Sequence, residues 1–181
     1  NLDSDIGPRR IGGSYYTSFF KTFTQEFQLS NNSTGEDFNW SAGIFYFNNL
    51  GGYDPWQSVG GGFFWNAKQS TKSWSGYAQA TQKFDSGTSV TAGLRYTRDS
   101  QEMRAFNVAI PANNSNYSQK ASKITWRLAV DQQFSENILG YVSYNRGFKS
   151  GGYNLLDVAN LNKLPALQRE PTYNPEVLDA Y

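Results

Sequence analysis

The stretch VTAGLRYT, Val90–Thr97, decides the fold. Val90, Ala92, Leu94 and Tyr96 alternate with Thr91, Gly93, Arg95 and Thr97, so a period of two separates an apolar set from a polar set that carries a charge. Successive side chains of an extended chain point to opposite faces, so this is a strand with one apolar and one wet face. Ile124, Trp126, Leu128 and Val130 repeat the pattern against Thr125, Arg127, Ala129 and Asp131. Around these two, the same period runs through Phe23–Ser30, Phe38–Phe47 and Ile138–Asn145, and more weakly through Ser73–Phe84. Helical spacing is confined to Leu155–Leu167, which is rich in Asn and interrupted by Pro165.

The spacing between strands narrows the architecture. Short polar links at Asn31–Asp37, Asp85–Gly87 and Ser135–Asn137 alternate with long ones at Gly51–Lys72, Arg104–Ala121 and Gly151–Tyr173. Antiparallel hairpins with turns at one end and long loops at the other produce that alternation. Links of this length are uncommon in compact soluble domains, whose median is about 4–6 residues, but are normal on the extracellular side of outer-membrane barrels. The strands also exceed the mode of about 5–6 residues for soluble sheets and reach the roughly 9–11 needed to cross a bilayer on a tilt. Trp40, Tyr46, Tyr96 and Tyr144 stand toward strand ends, as in an aromatic girdle. Arg95 and Arg127 fall opposite the apolar set, on the face that must be wet. A soluble β-sandwich with one polar face is the competing architecture, because its strands alternate in the same way.

Composition removes several functions. Among 181 residues there is no Cys and no His, which excludes a thiol nucleophile, an imidazole base, a disulfide framework and the usual zinc site. A net charge of +1 gives no basic stripe for nucleic acid. An aromatic share of 17% is too high for a disordered chain. Gly147-Phe-Lys-Ser-Gly-Gly152 lacks the glycine before lysine that a phosphate loop requires. Glu36, Asp37, Asp54, Asp85, Asp99 and Glu102, the carboxylates from which a glycosidase pair could be drawn, fall on turns or strand ends, where they read as solvated. No catalytic residue, cofactor or resident metal is expected.

Several motifs occur in an order that resembles TonB-dependent outer-membrane receptors. Asn145-Arg-Gly-Phe-Lys-Ser-Gly-Gly-Tyr-Asn154 resembles the family's passage from a barrel strand into an extracellular loop. Ala92–Asp99, Thr24–Ser30 with its partner Trp40–Phe47, and Pro171–Tyr181 resemble further barrel strands of that family. The resemblance implies an all-β, antiparallel transmembrane barrel segment of about six strands plus the start of a seventh, drawn from the interior of a barrel of 22 strands. Residues 1–22 are expected to form an extracellular loop or incoming connection, and 23–181 a portion of the barrel. The family's plug domain and C-terminal strand are not recognisable.

By that resemblance the whole receptor lies in the outer membrane of a Gram-negative bacterium, among lipid and lipopolysaccharide. It imports a scarce large ligand, foremost a ferric siderophore, with energy from TonB acting through a plug region. Ligand-contact candidates in the long loops are Tyr53, Trp56, Phe63, Phe64, Trp65, Arg104, Tyr117, Lys149 and Tyr153, aromatic and cationic groups suited to a ferric chelate or a sugar. Glu26, Gln79, Arg95, Arg127 and Asp131 are expected to face the lumen. The alternatives are a small self-contained outer-membrane barrel or adhesin, and a secreted carbohydrate-binding sandwich. Six strands with two open edges expose unpaired backbone groups, each costing several kcal/mol in hydrocarbon. The isolated 181-residue chain is therefore expected to aggregate or stay unfolded in detergent when followed by circular dichroism during heating. A cooperative, heat-resistant, monomeric β-signal would instead favour the self-contained barrel.

Overall fold

The computed structural model describes residues 2–3, 13–31, 36–59, 64–107, 114–154 and 170–181. Its strands are β1 (Leu2–Asp3), β2 (Gly13–Ser30), β3 (Phe38–Val59), β4 (Phe64–Lys83), β5 (Thr88–Asn107), β6 (Ser115–Ser135), β7 (Ile138–Lys149), β8 (Gly152–Tyr153), β9 (Thr172–Tyr173) and β10 (Glu176–Ala180). β1 to β7 pair in chain order as an antiparallel meander, β10 adds to β7, and β8 and β9 form a separate two-stranded piece. The six long strands and the beginning of a seventh coincide with the periodic segments.

Pairing gathers the alternating sets into two continuous faces. Val90, Ala92, Leu94 and Tyr96 stand opposite Val130, Leu128, Trp126 and Ile124, and Ala80 and Ala78 stand opposite Ala92 and Leu94 on the other side. Trp40, Ala42 and Tyr46 continue the row opposite Ala80, Ala78 and Trp74. On the reverse face Arg95 lies opposite Tyr77 and Thr125, and Gly93 opposite Gln79 and Arg127. Exposure is inverted relative to a water-soluble sheet. Phe27 (66%), Ile44 (62%), Leu94 (57%) and Val142 (67%) are open on the apolar face, while Ser75 (1%) and Gln101 (7%) are covered on the polar one. A sandwich would bury the first set and expose the second.

Register also gives the slope of the strands. Phe38, Val90 and Val142 share one rung through Gln82 and Val130. Phe38 opens β3, whereas Val90 is two residues from the start of β5 (90 − 88) and Val142 four from the start of β7 (142 − 138). Each hairpin thus begins two residues lower than the last. At about 3.3 Å per residue and 4.8 Å per strand, this is a tilt of roughly 35°, in the range that closes a barrel. On that slope the apolar run from Val90 to just short of Arg98 spans roughly 22 Å, close to the height of a lipid-facing band.

The band is bounded by aromatic pairs. Trp74 and Tyr96 meet edge-on with ring centroids 5.6 Å apart, and Phe23 and Tyr46 lie at 6.3 Å. Near this boundary Arg146 grips Asp179 through two 2.6 Å hydrogen bonds and covers the Trp126 ring at 4.4 Å, tying β10 to β7. The opposite end closes in short turns. At Phe84–Thr88 the Gly87 N–H donates to the Phe84 carbonyl at 3.0 Å, and Gly87 takes a φ of 77°, which favours glycine. Asn31 closes the β2–β3 end by donating to the Phe38 carbonyl and accepting from Trp40 N–H, both at 2.6 Å.

Two expectations need correction. The long links at Gly51–Lys72 and Arg104–Ala121 are mostly strand, because β3 runs to Val59, β4 starts at Phe64, β5 runs to Asn107 and β6 starts at Ser115. Tyr53, Trp56, Phe64, Trp65, Arg104 and Tyr117 therefore stand on strands, not in loops. Likewise residues 1–22 are not simply a connection, since β2 begins at Gly13. Pairing with a neighbouring strand holds these segments extended, on both sides for β3, β4 and β5 and with β3 for most of β2, and that outweighs the weak β preference of Gly, Asn and Pro. Past Tyr46, β3 continues for thirteen residues (59 − 46), an arm of roughly 35 Å beyond the band.

The two faces make unequal demands. In the full-length protein Leu128→Arg places a charge in the apolar band and should destabilise folding into phosphatidylcholine vesicles by about 2–4 kcal/mol in a denaturant titration. Arg127→Leu, one residue away on the polar face, should cost much less. Equal losses would refute the assignment of faces.

Candidate functional site

The most elaborated part of the described structure lies on the polar face of the arms. Trp65, Ala67, Met103 and Ala105 are buried there, with Tyr53, Trp56, Tyr117 and Tyr153 packed against them. Trp65 and Ala67 follow ordinary alternation on β4, as Met103 and Ala105 do on β5. Tyr53 and Trp56 are three residues apart, which in a regular strand puts them on opposite faces. A register shift between them sets Tyr53 opposite Ala67 and Trp56 opposite Trp65, so three residues of β3 span two of β4. Pro55, without an N–H for the ladder, sits inside this irregularity. The same three residues of β3 also span two of β2, from Tyr16 opposite Trp56 to Ser18 opposite Tyr53.

These shifts create an aromatic platform. Trp56 stacks on Trp65 with centroids at 5.1 Å and an interplanar angle of 27°. Tyr53 lies 5.2 Å from Trp56, and Tyr16 meets Tyr53 edge-on at 5.6 Å. Trp65 is the buried member, so it holds the platform, while Tyr16 is exposed and Tyr53 and Trp56 are half-buried. Gly52 admits this close packing of arms, because a Cβ there would collide with the Ala67 carbonyl oxygen.

A strap from the chain after β7 crosses the same face. Gly151 and Gly152 are buried, and β8 pairs with β9 to close the strap on itself. Ser150 Oγ donates to Asp99 Oδ2, Tyr153 OH donates to the Gln101 carbonyl at 2.8 Å, and Gln119 Nε2 donates to the Gly152 carbonyl at 2.9 Å. Burial pushes the Tyr153 phenol up, which keeps its proton available for that hydrogen bond. Between platform, sheet and strap is a cavity of about 300 Å³, walled by Phe20, Asn49, Tyr53, Gln69, Met103 and Tyr153 among others. Its walls offer aromatic faces, a thioether and amides, with no charged group. It can take a molecule by stacking and neutral hydrogen bonds, without proton transfer.

The sequence-derived candidates divide by position. Tyr53, Trp56, Trp65, Tyr117 and Tyr153 come together in the platform and strap. Lys149 lies at the end of β7 with its ammonium 5.7 Å from the Tyr173 ring. Arg104 is on the opposite face, bridged to Glu102 at 3.6 Å, and so is separated from the others. Phe64 opens β4, and Phe63 lies outside the described residues. Glu26, Gln79, Arg95, Arg127 and Asp131 share the polar face nearer the turns. There Tyr77 OH donates to Glu26 at 2.6 Å, the Arg95 guanidinium covers the Phe45 and Tyr77 rings at 5.7 and 5.6 Å, and Ser89 Oγ donates to Asp131 at 3.4 Å.

Sequence reasoning did not single out Tyr16, Phe20, Met103, Gln101 or Gln119. Met103 and Gln101 continue the alternation of β5 beyond Thr97, which is the signal that locates them. Tyr16 and Phe20 continue the period of Thr22, Thr24 and Glu26 on β2, but they are aromatic where that set is polar, so the alternation of apolar and polar residues does not mark them. Among the described residues no group of three His, Cys, Asp or Glu could hold a metal ion.

Comparison with known proteins points one way. Residues 2–178 match the family described as TonB dependent receptor-like, beta-barrel. No curated protein matches the chain. Among solved structures, the ferric yersiniabactin uptake receptor FyuA from Yersinia pestis superposes with a TM-score of 0.76 over 94% of this chain at 11% identity, a likeness of fold. The chain spans 26% of that receptor's length.

The strap's attachment is testable at two glycines. A Cβ at Gly151 would collide with the Tyr173 carbonyl oxygen, whereas one at Gly147 has no atom within 4 Å. In the full-length protein Gly151→Ala should speed amide hydrogen exchange across 150–153 by at least about tenfold through local opening, and Gly147→Ala should not. Unchanged protection in Gly151→Ala would contradict the described seating.

Proposed function

The chain belongs to the TonB-dependent receptor-like β-barrel family, and from that premise we propose that it forms wall and outer arms of an outer-membrane receptor importing a ferric chelate with energy from TonB. In this reading the apolar face meets lipid and the polar face, with Glu26, Gln79, Arg95, Arg127 and Asp131, lines the lumen. The short turns lie in the periplasm and the arms stand outside the cell, as in other outer-membrane barrels. The family is one of transport receptors, not of enzymes.

The observation that carries the ligand assignment is the platform of Tyr16, Tyr53 and Trp56 beside the neutral cavity. Ferric chelates of the siderophore kind are large, often aromatic and coordinatively complete, so stacking and amide hydrogen bonds can hold them without a protein ligand to iron. The absence of His and Cys from the whole sequence fits recognition of the intact chelate. Uptake of ferric yersiniabactin by FyuA, a structural neighbour, is in keeping with this. TonB would act through a plug region, which is where the family's energy coupling enters. Tyr53, Trp56, Tyr117 and Tyr153 are the contact residues we favour, with Lys149 at the rim. Arg104, on the lipid side of the arm, is removed from the chelate in this reading.

Titration of the full-length receptor with a panel of ferric siderophores tests this. Tyr53→Ala combined with Trp56→Ala should raise Kd for the transported member by about tenfold or more, since aromatic contacts contribute roughly 0.5–1.5 kcal/mol each beyond buried area. The amount of heat-resistant folded barrel should stay the same. Unchanged affinity would remove the platform from the ligand site, and uptake that persists without TonB would refute the energy source.

A further inference from the structure

The apolar face carries one feature that ligand uptake does not use. Immediately past the Trp74 and Tyr96 pair, the face turns from apolar to basic on three neighbouring strands. Lys72 and Lys120 flank Ser100 on one rung, and Arg98 stands one step nearer the band, opposite Trp74 and Ser122. Strand spacing sets Lys72 and Lys120 roughly 10 Å apart, each about 7–8 Å diagonally from Arg98. All three are exposed. The only ion pairs among the described residues are Arg104–Glu102 and Arg146–Asp179, so these three cations have no carboxylate partner. Glu102, the carboxylate nearest by register, is engaged by Arg104 at 3.6 Å. Like charges this close repel one another unless an anion sits between them.

Position identifies the anion. The triangle borders the apolar band on the face away from cavity and strap, where lipid headgroups would meet the wall. Long cationic side chains there keep their stems on apolar surface and their heads at the headgroup level. We propose that Lys72, Arg98 and Lys120 clamp a phosphate of a phosphorylated glycolipid in the outer leaflet, with Ser100 as a hydroxyl partner. This rests on the outer-membrane reading above. The clamp fixes the depth of the barrel and gives the arms a lipid-anchored base.

Purified full-length receptor, stripped of native lipid, is mixed with lipid A or with dephosphorylated lipid A, and retained lipid is counted by native mass spectrometry. Lipid A should be retained at least about tenfold better than its dephosphorylated form. The triple variant Lys72→Gln, Arg98→Gln, Lys120→Gln should lose that preference. Lys123→Gln, on the polar face opposite Thr97, should keep it. Equal retention of both lipids by the unmodified receptor, or an undiminished preference in the triple variant, overturns the clamp. Loss of preference in Lys123→Gln alone would mean that the faces are exchanged, which overturns the membrane reading beneath it.

Discussion

A peptide group that enters hydrocarbon must find its hydrogen-bond partner within the protein, because nothing in the bilayer core replaces water. The uninterrupted ladder from β2 to β7 meets that requirement strand by strand, and β10 begins to meet it at the far edge. Once the backbone is committed to a sheet, side-chain position is fixed by a period of two. The apolar face is then free to face lipid, and the polar face gathers the hydroxyls, amides and charges. The two-residue fall from each hairpin to the next adds the slope that curves such a sheet toward closure. Apolar band, aromatic boundary and basic triangle are all read on that one inclined grid.

The same grid explains why the arms differ from the banded part of the sheet. Below the boundary the alternation is regular, with apolar side chains on one face and polar ones on the other. Above it, one extra residue in β3, set against regular β2 on one side and regular β4 on the other, breaks the parity and brings Tyr53 and Trp56 to the face of Tyr16 over the buried Trp65. The strap held by Ser150, Gly152 and Tyr153 then covers part of what would be an open sheet. The neutral, aromatic recess lies part-way along the arms on their polar face, and the function proposed above assigns ligand recognition to it. Packing and hydrogen bonds hold its surroundings, the Asp99 carboxylate among the groups that seat the strap.

Much of this was legible in the sequence, and the limits have physical causes. Alternation at Val90–Tyr96 and Ile124–Val130 located faces and strands, because every residue there obeys one period. It failed at Gly51–Val59, where Gly51, Gly52 and Pro55 read as a loop while pairing on both sides holds the chain extended. Proximity of Tyr53 and Trp56 depends on a one-residue shift of register, which no local preference announces. Arg104 looked like a companion of the aromatics by distance along the chain. Parity within β5 sends it to the other face. The glycines of the strap were recognised as a motif, but their seating on Gln119 and Asp99 is a tertiary fact.

The central claim is that Val90, Ala92, Leu94 and Tyr96 face lipid while Thr91, Gly93, Arg95 and Thr97 face water. The natural chain has no Cys in this segment, so each single substitution to Cys from 90 to 97 gives one labelling site within it. Spin labels there, in the full-length receptor reconstituted into vesicles on a background free of other reactive thiols, can be tested for collision with molecular oxygen, which concentrates in lipid, and with a water-soluble nickel chelate. The account predicts strict alternation, with oxygen access at the even positions and nickel access at the odd ones. A flat profile, or oxygen access at the odd positions, would contradict it.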